Sequence, residues 1–181
     1  MQFGFCQALL RAAKAAGLHT CLDTCGYVAW SKLEALLPDL VLLLFDYKGI
    51  DPQRHRAHTG KSNRLIQRNL DRLQALGVPL RLRYPVIPGY NDHPEDFQAL
   101  VARLAGYPEA QAELLPYHEL GAHKRAVFRL PGPDFVVKTP DAALLRSWEK
   151  QMLALTEKQA AVRTRIELNW EVGAAWIDQF E

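Results

Sequence analysis

Apolar and polar positions along the chain switch repeatedly between a helical period and a strand-like one. Phe5, Leu9, Leu10 and Ala13 recur at helical spacing, and Gly17 supplies a stop, so residues 5–16 are expected to be a helix. Residues 18–23 read as a strand. Ser31 and Glu34 have capping-box spacing and open a short helix that Pro38 ends. Residues 40–46 form a continuous apolar run, the pattern of a parallel strand covered on both faces.

The unit then repeats. Ile66, Leu70 and Leu73 mark a helix over 63–76, stopped by Gly77. Residues 78–87 read as a strand closed by Pro88-Gly89 and Asn91-Asp92. Pro94 suits a first helical position, and Phe97, Leu100, Val101 and Leu104 form the stripe behind it. A strand follows at 112–117, and residues 121–138, which contain Pro131-Gly132-Pro133, are expected to be a long loop. Thr139-Pro140 opens a last helix carrying Leu144, Leu145, Trp148, Met152 and Leu155, before a final strand at 163–168. The aromatic tail, 170–181, stays unassigned.

Alternating strands and helices predict an α/β fold with a parallel sheet. Neither GxGxxG nor GxxxxGKS occurs, which removes the main support for dinucleotide and P-loop readings. A partial (β/α) barrel is the better fit, because four or five strands are too few to close an eight-stranded one. The length of 181 residues suits a single domain spanning 1–181. A net charge of +2 gives no argument for nucleic acid or an acidic membrane surface, and no apolar run is long enough to span a bilayer. Three cysteines do not make a disulfide framework, and a cytoplasmic protein is expected.

Each expected strand carries polar groups at its C-terminal end, where (β/α) barrels place their chemistry. These are Asp23 and Thr24, then Asp46 and Lys48, then Arg81 and Arg83, then His118. Asp46 and Lys48 are two apart and should point the same way. Lys48, Arg83 and His118 suit a carboxylate, while the aspartates suit an ammonium, hydroxyls or a cation, so a zwitterionic ligand fits the set. Arg81 is read as a structural ion-pair residue. His19, His55, His58, His93 and His123 are read as surface residues, and Trp148, Trp170 and Trp176 as packing residues. Cys21 and Cys25 have C-x3-C spacing, but Val28 stands where a third thiolate would be needed, and small buried residues are the expected role.

Four strings carry a resemblance: HTCLDTCGY at 19–27, FDYKGIDPQRHRAHTGKSN at 45–63, LRYPVIPGYND at 82–92 and ELLPYHELGAHK at 113–124. They resemble the activating enzymes of glycyl radical enzymes, of the pyruvate formate-lyase activating type, in the radical S-adenosylmethionine (SAM) superfamily. The resemblance implies a partial barrel and reductive cleavage of SAM at a 4Fe–4S cluster. The resulting 5′-deoxyadenosyl radical abstracts hydrogen from a backbone glycine of the partner. Implied partners are a glycyl radical enzyme such as pyruvate formate-lyase and a flavodoxin-like or ferredoxin-like electron donor. Asp23, Thr24 and Asp46 match positions of a monovalent-cation site near the methionine end of SAM. Lys48 and His118 match residues that hold SAM, and Arg83 sits in a strand lining the same cavity.

The family's CxxxCxxC loop and GGE segment do not occur in these residues. The chain is therefore expected to be the C-terminal two-thirds of such an enzyme, lacking the first two β/α units and inactive alone, with no cluster ligands of its own. Two alternatives stand beside it: a non-catalytic half-barrel binding module, and an unrelated barrel enzyme using Lys48 as a Schiff-base nucleophile with His118 as acid/base.

Overall fold

The repeating pattern folds into one open sheet backed by helices. The computed structural model describes residues 2–107, 110–118, 127, 137–158 and 166–168. Helix α1 (Phe3–Ala15) leads to β1 (Cys21–Thr24), α2 (Trp30–Glu34), a 3₁₀ turn (Leu37–Asp39) and β2 (Leu42–Asp46). Helices α3 (Pro52–Thr59) and α4 (Arg64–Ala75) precede β3 (Leu80–Val86). Then come α5 (Pro94–Ala105), β4 (Ala110–Pro116), α6 (Ala142–Lys158) and β5 (Ile166–Leu168). All pairings are parallel and the order is β1-β2-β3-β4-β5, the strand order of a (β/α) barrel segment.

Strand alternation gives the sheet two unlike faces. Leu43, Phe45, Leu80, Leu82, Tyr84, Val86, Ala112 and Leu114 are buried on one of them. They pack in one cluster with Leu33 of α2, Ile66, Leu70 and Leu73 of α4, Phe97, Leu100 and Leu104 of α5, and Leu145, Trp148 and Met152 of α6. Each such side chain contributes about 1.5–3 kcal/mol by leaving water. Trp148 stacks on Phe97 with ring centroids 4.9 Å apart, a packing role as expected. The opposite face carries Cys21, Asp23, Leu42, Leu44, Asp46, Arg81, Arg83, Gln111 and Glu113. Most of these are only partly covered, although Glu113 is buried.

Several local expectations need correction. On α1 the more buried stripe is Phe3, Cys6, Gln7, Leu10 and Ala13, while Phe5 and Leu9 are exposed, so the helix is rotated from the face its largest residues suggested. Ser31 and Glu34 form no capping box: Ala29 is the N-cap of α2 and makes no side-chain cap bond. Pro38 lies in the first turn of the 3₁₀ element rather than ending α2. β2 is buried on its helix side only. His55 is buried, with Nδ1 2.7 Å from the Lys61 carbonyl and 3.0 Å from Thr59 Oγ1. Cys21 is exposed, because it lies on the less covered face of an edge strand, and Cys6 and Cys25 are half-buried. Most of 121–138 and the tail after 168 lie outside the described residues.

Helix α3 is an element the hydrophobic pattern does not show, being polar on all sides. It forms from its ends: the Asp51 carboxylate accepts from the Gln53 and Arg54 amides at 2.9 and 2.7 Å, Pro52 stands at the first turn, and Gly60 closes it at φ 76°. Arg54 then ties it to α5 through two 2.8 Å hydrogen bonds to the buried Asp96 carboxylate. Burial pushes the Asp96 acid up, and Arg54 opposes that shift.

Three buried asparagines hold the loops at the strand ends. Asn69 of α4 donates to the Gly26 and Val28 carbonyls after β1, each at 2.8 Å. Asn63 donates to Gly49 and Ile50 after β2, also at 2.8 Å. Asn91 donates to Lys48 and Pro85 and accepts from the Ile87 amide. Gly26 has φ 69°, and a Cβ there would lie 2.3 Å from Phe45 Cζ, so only glycine fits this turn. Replacing Asn69 by Ala removes two hydrogen bonds, although the Gly26 carbonyl keeps the Val28 amide, and should cost about 1–3 kcal/mol. Urea unfolding monitored by circular dichroism measures this, and a loss below about 0.5 kcal/mol contradicts the clamp.

Candidate functional site

Parallel register decides which polar side chains meet. Asp46 pairs across with Arg83, Arg83 with Glu113, and Asp23 with Leu44, so all lie on the same face of the sheet. From the central strand, the Arg83 guanidinium reaches both acidic neighbours. Its Nη2 donates to Asp23 Oδ1 and Oδ2 at 2.7 and 2.6 Å and to Asp46 Oδ1 at 2.6 Å, and its Nε donates to Asp46 Oδ1 at 2.8 Å. One cation at the middle of β3 thus bridges the C-terminal ends of β1 and β2. Burial is the largest single influence on Arg83 and disfavours its charge, but hydrogen bonding and attraction from Asp46 and then Asp23 outweigh it, holding the guanidinium pKa above its usual range.

Lys48 extends this group. Its Nζ lies 3.7 Å from Asp46 Oδ2, with the lysine side chain 46% exposed. That contact is long and leaves ammonium donors free for a second acceptor. The arginine side chain is 21% exposed and that of Asp23 57%, so the group stands at the mouth of the sheet rather than inside the core.

Two of the expected residues are placed differently. Thr24 follows Asp23 by one residue, and strand alternation turns its side chain to the helix layer. There Thr24 Oγ1 accepts from the Gly26 amide at 3.1 Å, and the residue borders a small cleft with Leu22, Val28 and Leu33. The Thr24 side chain therefore does not join Asp23 and Asp46. His118 lies two residues beyond β4 and is exposed, and no contact among the described residues ties it to Arg83 or Lys48. Arg81 occupies the same face as Arg83 and donates to Gln111 Oε1 at 3.2 Å, a neutral amide rather than the carboxylate that an ion-pair role would need. Among the described residues no group of three or more His, Cys, Asp or Glu side chains is placed to hold a metal ion.

The asparagine clamps on the strand-end loops are contacts that strand-end reasoning misses. For Asn69 the signal is a polar residue at a buried helical position, beside Leu70 and Ile66 in the α4 stripe; Asn63 and Asn91 lie outside helices and carry no such signal.

No family model matches the chain. It is 44% identical over 125 residues to the isethionate sulfite-lyase activating enzyme of Nitratidesulfovibrio vulgaris, which covers 68% of this chain and 40% of that protein. It is 34% identical over 159 residues to the pyruvate formate-lyase-activating enzyme of Streptococcus mutans, covering 84% of this chain and 60% of that protein. The chain thus spans less than two thirds of the length of these relatives. In fold it is similar to a domain of pyruvate-formate lyase-activating enzyme from Bacteroides vulgatus, with a TM-score of 0.72 and 21% identity over 91% of both chains. The chain is thus a homologue of the glycyl-radical enzyme activating enzymes.

Proposed function

We propose that these residues are the part of a radical SAM activase that receives the carboxylate end of SAM, and that the activated partner is a glycyl radical enzyme. The observation that carries this reading is the Asp23–Arg83–Asp46 bridge with Lys48 beside it, which ties the C-terminal ends of β1 and β2 to the middle of β3. The donor set fits the cofactor's amino-acid moiety. Lys48 retains donors for a carboxylate, and His118, at the end of the fourth strand, is a second candidate. The exposed Asp23 retains acceptor sites for an ammonium or a monovalent cation, with Asp46 and the Thr24 main chain near it. Arg83 already lies between the two aspartates, so its part is to fix them and limit their charge rather than to bind the ligand first. SAM, together with a reduced cluster, supplies hydrogen abstraction; the residues here bind and orient.

The cluster itself does not fit this set. Cys6 lies on α1, Cys21 on the exposed edge of β1 and Cys25 just after it, and they do not form a three-thiolate site. We propose that cluster ligands and an electron donor of the flavodoxin or ferredoxin kind come from outside these residues, and no step is assigned to iron here. Anaerobic reconstitution of the 181-residue chain with iron and sulfide should leave no stable 4Fe–4S absorbance. A stoichiometric cluster lost in Cys21→Ala or Cys25→Ala contradicts this.

Carboxylate recognition is tested by comparing SAM with its decarboxylated analogue on the same chain, by saturation-transfer NMR titration. A charge-assisted hydrogen bond contributes about 1.5–3 kcal/mol, which corresponds to roughly ten- to a hundredfold in affinity. SAM should bind more tightly than the analogue by about that factor. The difference should shrink in Lys48→Ala and in His118→Ala. Equal affinities in the unsubstituted chain, or a difference that survives both substitutions, would show that these residues do not read the carboxylate.

A further inference from the structure

Arg83 stands level with an acid that it does not use. Parallel register pairs it with Asp46 of β2 on one side and with Glu113 of β4 on the other, all on the same face of the sheet. Its Nε and Nη2 both turn towards β2 and β1, where they serve Asp46 and Asp23. Its Nη1 has no partner among the described residues. Glu113 is 5% exposed, and among the described residues its carboxylate meets neither a hydrogen-bond donor nor a cation. It is more covered than Asp23 or Asp46, yet those two hold the arginine. Taking a carboxylate out of water without a partner is costly, so some state of the site should bring a donor to Glu113.

Arg83 can be that donor. Neighbouring strands lie about 4.7–4.9 Å apart. From β3 the guanidinium already meets a carboxylate of β1, two strands away, so the single step to β4 lies within its reach. What holds it on the other side is the pair of aspartates. In the function proposed above, those same carboxylates receive an ammonium or a monovalent cation, which competes with the guanidinium for them. We propose that Arg83 is a two-position switch: it bridges Asp23 and Asp46 until a ligand cation claims them, and then turns to Glu113. Glu113 is thereby a positioning residue, because it takes up the displaced arginine and lowers the cost of releasing the aspartates. The trigger rests on the cofactor reading, whereas the ability of Arg83 to turn does not.

The first test needs no ligand and uses urea unfolding. In the unsubstituted chain, Glu113→Gln removes a buried charge that has no partner, so the midpoint should hold or rise. With Asp23→Asn and Asp46→Asn in place, Glu113 is the carboxylate left to Arg83, and the same Glu113→Gln change should lower the midpoint. A loss of equal size in both backgrounds, or none in the second, overturns the switch. The second test follows the Arg83 Nε–H signal and the Glu113 side-chain carboxyl carbon by NMR. Potassium chloride is titrated against choline chloride at equal ionic strength, and SAM is then added. Both signals should move together, with one midpoint. Movement with potassium alone assigns the competitor as the ion, and movement that requires SAM assigns it as the ammonium. Glu113→Gln should weaken that binding by roughly three- to tenfold, whereas a merely structural glutamate would leave it unchanged. If SAM binds with the carboxylate preference expected above while the Glu113 carbon stays still, the switch is wrong and the cofactor reading stands. If neither potassium nor SAM binds, both fall.

Discussion

Setting a guanidinium on a half-buried face of a central strand loses hydration, and the sheet offsets that loss by bringing two carboxylates to it from both neighbouring strands. Arg83 reaches Asp23 on β1 and Asp46 on β2 only because parallel register places Arg83 level with Asp46 and Asp23 one step behind on the same face. A one-residue slip of either strand would turn its carboxylate into the helix layer, where Phe45 and Leu22 now pack. Ion pairing and register therefore support one another. The exposure of Asp23 keeps its share of the stabilisation modest, whereas Asp46, more covered and held by both Nε and Nη2, carries the larger share.

Chemistry at strand ends also requires that the loops beyond them hold still. Here the supports come from behind: Asn69, Asn63 and Asn91 each donate to two main-chain carbonyls in or beside the loops after β1, β2 and β3. Asn91 holds the Lys48 carbonyl directly, so the position of the lysine depends on a loop that follows β3. Polar side chains buried in this way contribute less to net stability than to the choice of a single loop conformation, because leaving their partners unbonded is what costs most. The charged residues at these strand ends are thus carried by rigid elements, while the tips of Asp23 and Lys48 stay open to solvent.

Element type was readable from period wherever a helix had one apolar stripe, as in α4 and α5, or a strand had a continuous apolar run, as in β2, or alternation, as in β3. It was not readable where ends rather than faces make the element. α3 has no apolar stripe, and only Asp51-Pro52 and Gly60 announce it. The buried face of α1 was misjudged because Phe5 and Leu9 outweigh Gln7 and Cys6 in any hydrophobicity count, yet the latter pair is the more covered, with Gln7 donating to the Ala35 carbonyl at the end of α2. In the site, Asp23, Asp46 and Lys48 were legible from their strand-end placement. That Arg83 is the centre of the group, and that the Thr24 side chain turns away from it, depends on strand register, which no one-dimensional pattern contains.

The central claim is that Arg83 makes one site of carboxylates from separate strands, and a double-mutant cycle measures this most directly. Arg83→Met, Asp46→Asn and the double variant are unfolded in urea at neutral pH, and the cycle is repeated with Asp23→Asn. The account predicts a coupling of about 1–3 kcal/mol between Arg83 and Asp46, and a smaller one of the same sign with the more exposed Asp23. Additivity of Arg83 and Asp46 to within about 0.5 kcal/mol would contradict it.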